Sequence, residues 1–178
     1  MVEDRLTDPV AQRYDAVIRR GDLLEQDMIA RRISEDDTLI LVVSPDWLGS
    51  RKPPLHPRDL SLGRIVIRRP RSGAIQPWSL GNTKEAITLK GGSRLIAESA
   101  LAARHYAPSG FGVALLAQDF VAGNVRKGKL RKILPEWRFP LASFHMMYAQ
   151  RGQLPPVFEE LMRRMAGSGA SGRSHPDE

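Results

Sequence analysis

Thr38-Leu39-Ile40-Leu41-Val42-Val43, followed by Ser44-Pro45-Asp46-Trp47-Leu48-Gly49, is the stretch on which the fold turns. Its first six residues form a continuous apolar run with β-branched members, the pattern of a strand covered on both faces. Ser44 then offers an N-cap hydroxyl, Pro45 suits a first helical position whose N–H would go unpaired anyway, and Gly49 ends the short helix. A strand with no solvent face must lie inside a layered structure, so the run predicts an α/β core.

Upstream, Thr7-Asp8-Pro9 is a second cap-and-proline start that predicts a helix through Val10, Ala11 and Tyr14, before Asp15-Ala16-Val17-Ile18 turns to strand. Arg19 and Arg20 follow at that strand's C-terminal end. Downstream, Pro53, Pro54 and Pro57 make a stiff connection, after which Arg64 to Arg68 alternates as a strand does and Glu85 to Lys90 reads as another. Gly91-Gly92-Ser93 then leads into a predicted helix holding Leu95, Ile96, Ala100, Leu101 and Ala103. Phe111 to Leu116 predicts a strand, Asp119 to Lys127 a short helix ended by Gly128, Leu130 to Leu134 an extended segment, and Leu141 to Ala149 a further strand. Last comes a helix started by Pro155 and Pro156, with Val157, Phe158, Leu161, Met162 and Met165 on one stripe and Gly167 as its stop. Residues 167–178 are too poor in apolar groups to offset their ordering entropy and are expected to be disordered. Helices alternating with strands argue for an α/β fold with a largely parallel or mixed sheet.

Composition narrows the function. At 178 residues and 42% hydrophobic the chain can bury a core. With no cysteine there is no disulfide, thiolate nucleophile or Cys-ligated metal, and none of His56, His105, His145 and His175 has a partner at metal-ligand spacing, so neither a metal nor a cofactor is assigned. No apolar run approaches the ~18 residues of a membrane helix and no signal core opens the chain, which predicts a cytoplasmic protein. The net charge of +7 favours anionic partners without naming them.

Three motifs bear on binding. Gly167-Ser168-Gly169-Ala170-Ser171-Gly172 fits G-x-G-x-x-G but lacks the strand before it and the helix after it, and no P-loop or nucleophile elbow occurs. The adjacent pairs Asp36-Asp37 and Glu159-Glu160 sit on solvated turns or faces, so no enzyme is predicted. Lys90-Gly91-Gly92-Ser93 at a strand-to-helix turn could present backbone N–H groups, a hydroxyl and a charge to a carboxylate or phosphate. Arg19 and Arg20 at a strand end could pair bidentately with a carboxylate. Arg64, Arg68, Arg69 and Arg71 make the densest basic cluster, without interleaved aromatic residues to stack bases.

The order of several segments resembles the effector-binding domain of LysR-type transcriptional regulators. These are Asp4-Arg5-Leu6-Thr7-Asp8 with Tyr14 to Arg19, Ile29 to Ile33, Ser44 to Leu48, Pro54 to Leu60, Gly110 to Leu116, Gly128 to Trp137, and Tyr148 with the Leu154-Pro155-Pro156 helix start. The resemblance covers roughly residues 3 to 166. It implies two Rossmann-like lobes with a two-segment hinge, similar to type 2 periplasmic binding proteins, and a small anionic or aromatic effector in the cleft. The first lobe would hold residues 1–43 and 137–166, the second 44–136, with 167–178 as tail. Ligand contacts would fall on Arg19, on Ser44 at the hinge, on Lys90, Gly92 and Ser93, and on Arg68 and Phe144. The family also implies allosteric control of transcription by a homodimer or tetramer that reaches DNA through a helix-turn-helix. That module, with the first strand and helix of the first lobe, precedes Asp4 in the family and has no counterpart here, so the chain reads as N-terminally truncated with an incomplete first lobe. A free-standing solute-binding protein of similar fold is the alternative. Two further rivals are an enzyme on a similar two-lobe fold and a nucleic-acid binder using Arg64 to Arg71.

Overall fold

The computed structural model describes residues 14–21, 28–49, 52–60, 63–67, 74–75, 77–90, 92–149 and 156–170. In chain order the elements are β1 (Val17–Arg20), β2 (Met28–Arg32), β3 (Asp37–Val43), α1 (Pro45–Leu48), β4 (Arg64–Ile67), β5 (Trp78–Gly81), β6 (Ala86–Leu89), β7 (Ser93–Ala97), α2 (Ala100–Tyr106), β8 (Val113–Ala117), α3 (Gln118–Arg126), β9 (Arg131–Ile133), β10 (Phe139–Leu141), β11 (Phe144–Ala149) and α4 (Pro156–Ala170). They fall into two units. One comprises Thr38–Pro140, and the other the described residues before and after it, so the chain crosses between units at Asp37/Thr38 and again at Pro140/Leu141.

In the larger unit the sheet order is β10-β3-β8-β4-β7, with β9 also pairing with β3, and β5 and β6 form a separate hairpin. β4 runs parallel to β7 and β8, while β3 runs antiparallel to β8 and β9. The central run is buried on both faces as its composition requires. Ile40 and Val42 enter one apolar cluster, with Ala103, Val121 and Leu130 beneath α2 and α3. Leu41 and Val43 enter another, with Leu60, Trp78, Leu80 and Trp137. Fully burying such a side chain contributes ~1.5–3 kcal/mol, so this strand fixes both layers at once. β3 belongs to this unit through its pairing with β8 and β9, whereas the sequence reading put residues up to 43 in the other lobe.

The smaller unit has an antiparallel sheet in the order β1-β11-β2. Ile33, Met146 and Tyr148 are buried on one face, against Ala16 and against Phe158 and Met165 of α4.

Several expectations are corrected. Gly92-Ser93 opens strand β7, not a helix: Leu95 packs in the α2/α3 cluster and its neighbour Ile96 in the opposite one, which only an extended chain allows. The helix begins after Ser99, whose hydroxyl accepts the Ala102 N–H at 3.2 Å. Arg19 and Arg20 are the last two residues of β1, in register with His145 and Phe144, and do not follow it. The predicted strand from Leu141 to Ala149 is interrupted at Ala142-Ser143, where the chain enters the smaller unit. Helix α4 passes Gly167 and ends at Ala170. The helix predicted through Val10 and Ala11, and residues 171–178 of the predicted tail, lie outside the described residues.

Candidate effector site

Open α/β sheets hold ligands beyond the C-terminal ends of their parallel strands. In the larger unit these ends are Ile67, Ala97 and Ala117. Leu39 is in register with Ala117, so the antiparallel β3 starts at that same end, just after the chain has crossed into the unit. Ser99, capping α2 after β7, and Gln118, following β8 directly, are polar groups there.

Ser44, Lys90, Gly92 and Ser93 lie at the opposite end of this sheet. Ser93, Arg64 and Val113 are mutually in register at the N-terminal ends of β7, β4 and β8, and Val42 opposite Ala114 carries the C-terminus of β3 to the same end. Ser44 is fully buried; its Oγ accepts the Trp47 N–H at 3.2 Å, making it the cap of α1. Lys90 is exposed, and its carbonyl, like that of Leu89, accepts from the buried Arg64 guanidinium at 3.3 and 3.1 Å. Arg64 also lies 5.4 Å from the Trp78 ring centre, and burial lowers its pKa from the ordinary arginine value. It therefore ties β4 to the end of β6 and leaves the basic cluster the sequence suggested. Arg68, Arg69 and Arg71 lie outside the described residues.

In the smaller unit the crossing end of the sheet gathers cations and a ring. Arg20 donates to the Ala142 carbonyl at 2.9 Å and its guanidinium carbon stands 4.2 Å over the Phe144 ring centre. Phe144 is 39% exposed, so the stack reaches solvent. Gly21 donates to the Ser143 carbonyl, Ser143 N–H to Asp36 Oδ1 and Phe144 N–H to Ser34 Oγ, all at 2.8–2.9 Å, which fixes the entry of the chain. On the other face Arg19, His145 and Arg32 stand side by side on β1, β11 and β2. His145 Nδ1 is 3.2 Å from the Ser143 carbonyl, and Arg32 is held by Glu35 at 3.0 Å and Asp36 at 3.5 Å.

Register thus separates two residues the sequence reading joined: Arg19 and Phe144 project from opposite faces, and Arg20 is the cation beside the ring. His145 and Arg32 were missed as site candidates. Period-two alternation in each strand could place them on a face, but which strands pair is a long-range fact. Among the described residues no group of three His, Asp or Glu side chains could hold a metal ion, and no helix is long and apolar enough to cross a membrane.

Two α/β units linked by a double crossing make up the type 2 periplasmic-binding-protein-like fold. The chain belongs to the LysR substrate binding domain family, which matches residues 1–169, and that family consists of transcriptional regulators, not enzymes. It is 27% identical over 174 residues to the HTH-type transcriptional regulator PtxR of Pseudomonas aeruginosa, covering 94% of this chain and 54% of PtxR. It is 28% identical over 166 residues to the HTH-type transcriptional regulator PgrR of Escherichia coli, covering 93% and 56%. The chain thus spans about half the length of the curated relatives it matches. Among solved structures, the full-length virulence activator AphB of Vibrio cholerae superposes with a TM-score of 0.79 at 23% identity, covering 95% of this chain and 57% of AphB. The regulatory domain of CrgA from Neisseria meningitidis gives 0.74 at 17% identity, covering 89% and 77%. These two establish the fold.

Proposed function

We propose that this chain senses a small anionic molecule, aromatic or aliphatic, in the cytoplasm and regulates transcription allosterically as part of a homodimeric or tetrameric protein whose helix-turn-helix lies outside this sequence. The observation that carries the reading is the set of basic residues at one end of the three-stranded sheet, Arg20 with the exposed Phe144 ring on one face and Arg19, Arg32 and His145 on the other. Arginine forks suit carboxylates, and a ring already faced by a cation suits a flat ligand. Effector binding biases a conformational equilibrium by its differential affinity for the two states, and that bias is what a DNA-bound assembly reads.

The test is thermal unfolding of the chain with a panel of aromatic and aliphatic carboxylates and the matching neutral amides. A true effector at about 100 times its Kd adds about 2.7 kcal/mol and raises Tm, while its amide does not. Arg20→Gln should abolish the shift of a ligand seated on the Phe144 face, and Arg19→Gln that of one seated on the His145 face, without lowering Tm of the free protein by a comparable amount. A carboxylate whose stabilisation survives both substitutions would place the site elsewhere.

A further inference from the structure

Arg126-Lys127-Gly128-Lys129-Leu130-Arg131-Lys132 puts five cations into seven residues at the junction of α3 and β9. No Asp or Glu occurs between Asp119 and Glu136, so nothing in the segment offsets the charge. All five side chains are exposed, and no described carboxylate pairs with any of them; Lys132 donates to the neutral Gln118 Oε1 at 3.1 Å. Helix C-termini favour cations, which accounts for Arg126 and Lys127 but not for the three that follow the turn. The segment is not a loose tail. Leu130 is 1% exposed and Ile133 9%, β9 pairs with β3, and the Lys129 and Leu130 N–H groups donate to the Asn124 carbonyl at 2.9 and 3.2 Å. Arg104 joins the same helix end, its Nε donating to Asn124 Oδ1.

We infer that this surface binds the phosphate backbone of duplex nucleic acid, independently of base sequence. The apolar residues of the segment, Leu130 and Ile133, are turned into the core, so no exposed hydrophobic anchor is left for a protein partner. Nor does the segment contain an aromatic ring to stack unpaired bases, which sets single strands aside. What remains is a fixed array of cations, and phosphate contacts are made in that way. The proposal stands apart from effector binding, since the smaller unit's cations take no part in it.

The experiment is anisotropy of a labelled duplex of arbitrary sequence, titrated with the 178-residue chain between about 50 and 200 mM salt. Two triple variants of equal charge are compared: Lys127→Gln/Lys129→Gln/Lys132→Gln, and Lys52→Gln/Lys84→Gln/Arg94→Gln. Each phosphate contact contributes ~0.9 to the log–log salt slope, so the first variant should flatten the slope by about 3 and weaken binding at least about tenfold at low salt. The second should stay within about twofold of the parent. Equal losses in both variants would mean net charge alone, and overturn the assignment. So would absence of binding at low salt, or displacement of the duplex by polyglutamate as readily, per charge, as by unlabelled duplex, which would point to an acidic protein.

Discussion

Among the described glycines, Gly112 is the one at which the backbone leaves least choice. Its φ is +154°, and a Cβ built there would stand 2.4 Å from the Gly63 carbonyl oxygen, the atom that accepts the Val113 N–H at 2.8 Å. The close approach brings the start of β8 against the start of β4, where Arg64 and Val113 are in register. Gly112→Ala therefore has to push backbone against backbone, and we expect a loss of roughly 2–3 kcal/mol, read as a lower urea midpoint with an unchanged slope. A midpoint within error of the parent would mean that the two segments can part without cost. Ser44 shows how one residue can be rightly read locally and wrongly placed. Its capping role follows from Ser-Pro-Asp alone, because the partner N–H is three residues away. It was expected at a hinge because one crossing was read between Thr38 and Ser44, and the chain crosses at the start of that stretch, at Asp37/Thr38.

Elements divide along the same line. β3 was legible because burial on both faces leaves a run with no polar interruption, and α1 because its cap and proline are adjacent in sequence. β7 was not: Leu95 and Ile96 with Ala100, Leu101 and Ala103 fit a helical stripe, and only the parallel partner β4, about 30 residues earlier, pulls the first half into a strand. The misreading also put the supposed anion turn at a helix start, where the chain instead has the N-terminal end of β7. Helix α4 was legible by its stripe in part: Phe158 and Met165 do face Met146 and Tyr148, while Val157 and Leu161 of the same stripe stay 69% and 43% exposed. On its outer side Arg164 and Arg163 both donate to Glu160 and hold that carboxyl below the usual carboxylate range. A depressed folded-state pKa stabilises above the unfolded value of about 4.3, and the contribution disappears as pH falls through the folded value. Glu160→Gln should accordingly lower stability slightly at pH 7, with the gap to the parent closing as pH falls through the lowered folded-state value and narrowing in high salt. A gap that widened on acidification would contradict the pairing.

At the scale of the molecule the two units differ in what holds them. Among the described residues the larger has two buried clusters, one on each face of its sheet, and Leu41, Val42, Val43, Val113 and Ala114 at its centre are at most 1% exposed. Among its described residues the smaller has one cluster, of Ile33, Met146 and Tyr148, with Met147 buried on the opposite face, and its strands leave Ile18 48% and Ile29 37% exposed. Opening free energy scales with the apolar surface a region gives up, so the smaller unit should open first and at lower cost. Amide exchange measured by mass spectrometry should then show the peptides of β1, β2 and β11 exchanging well before those of β3 and β8, and a ligand held by Arg19 or Arg20 should slow the first group selectively. The order matters for function. An effector acts in proportion to the difference in stability it can make, and a marginal unit carrying the ligand's cations converts a given binding energy into a larger change in population than a rigid one would. Equal protection in the two units would remove this route and leave effector control to contacts that the rigid larger unit makes.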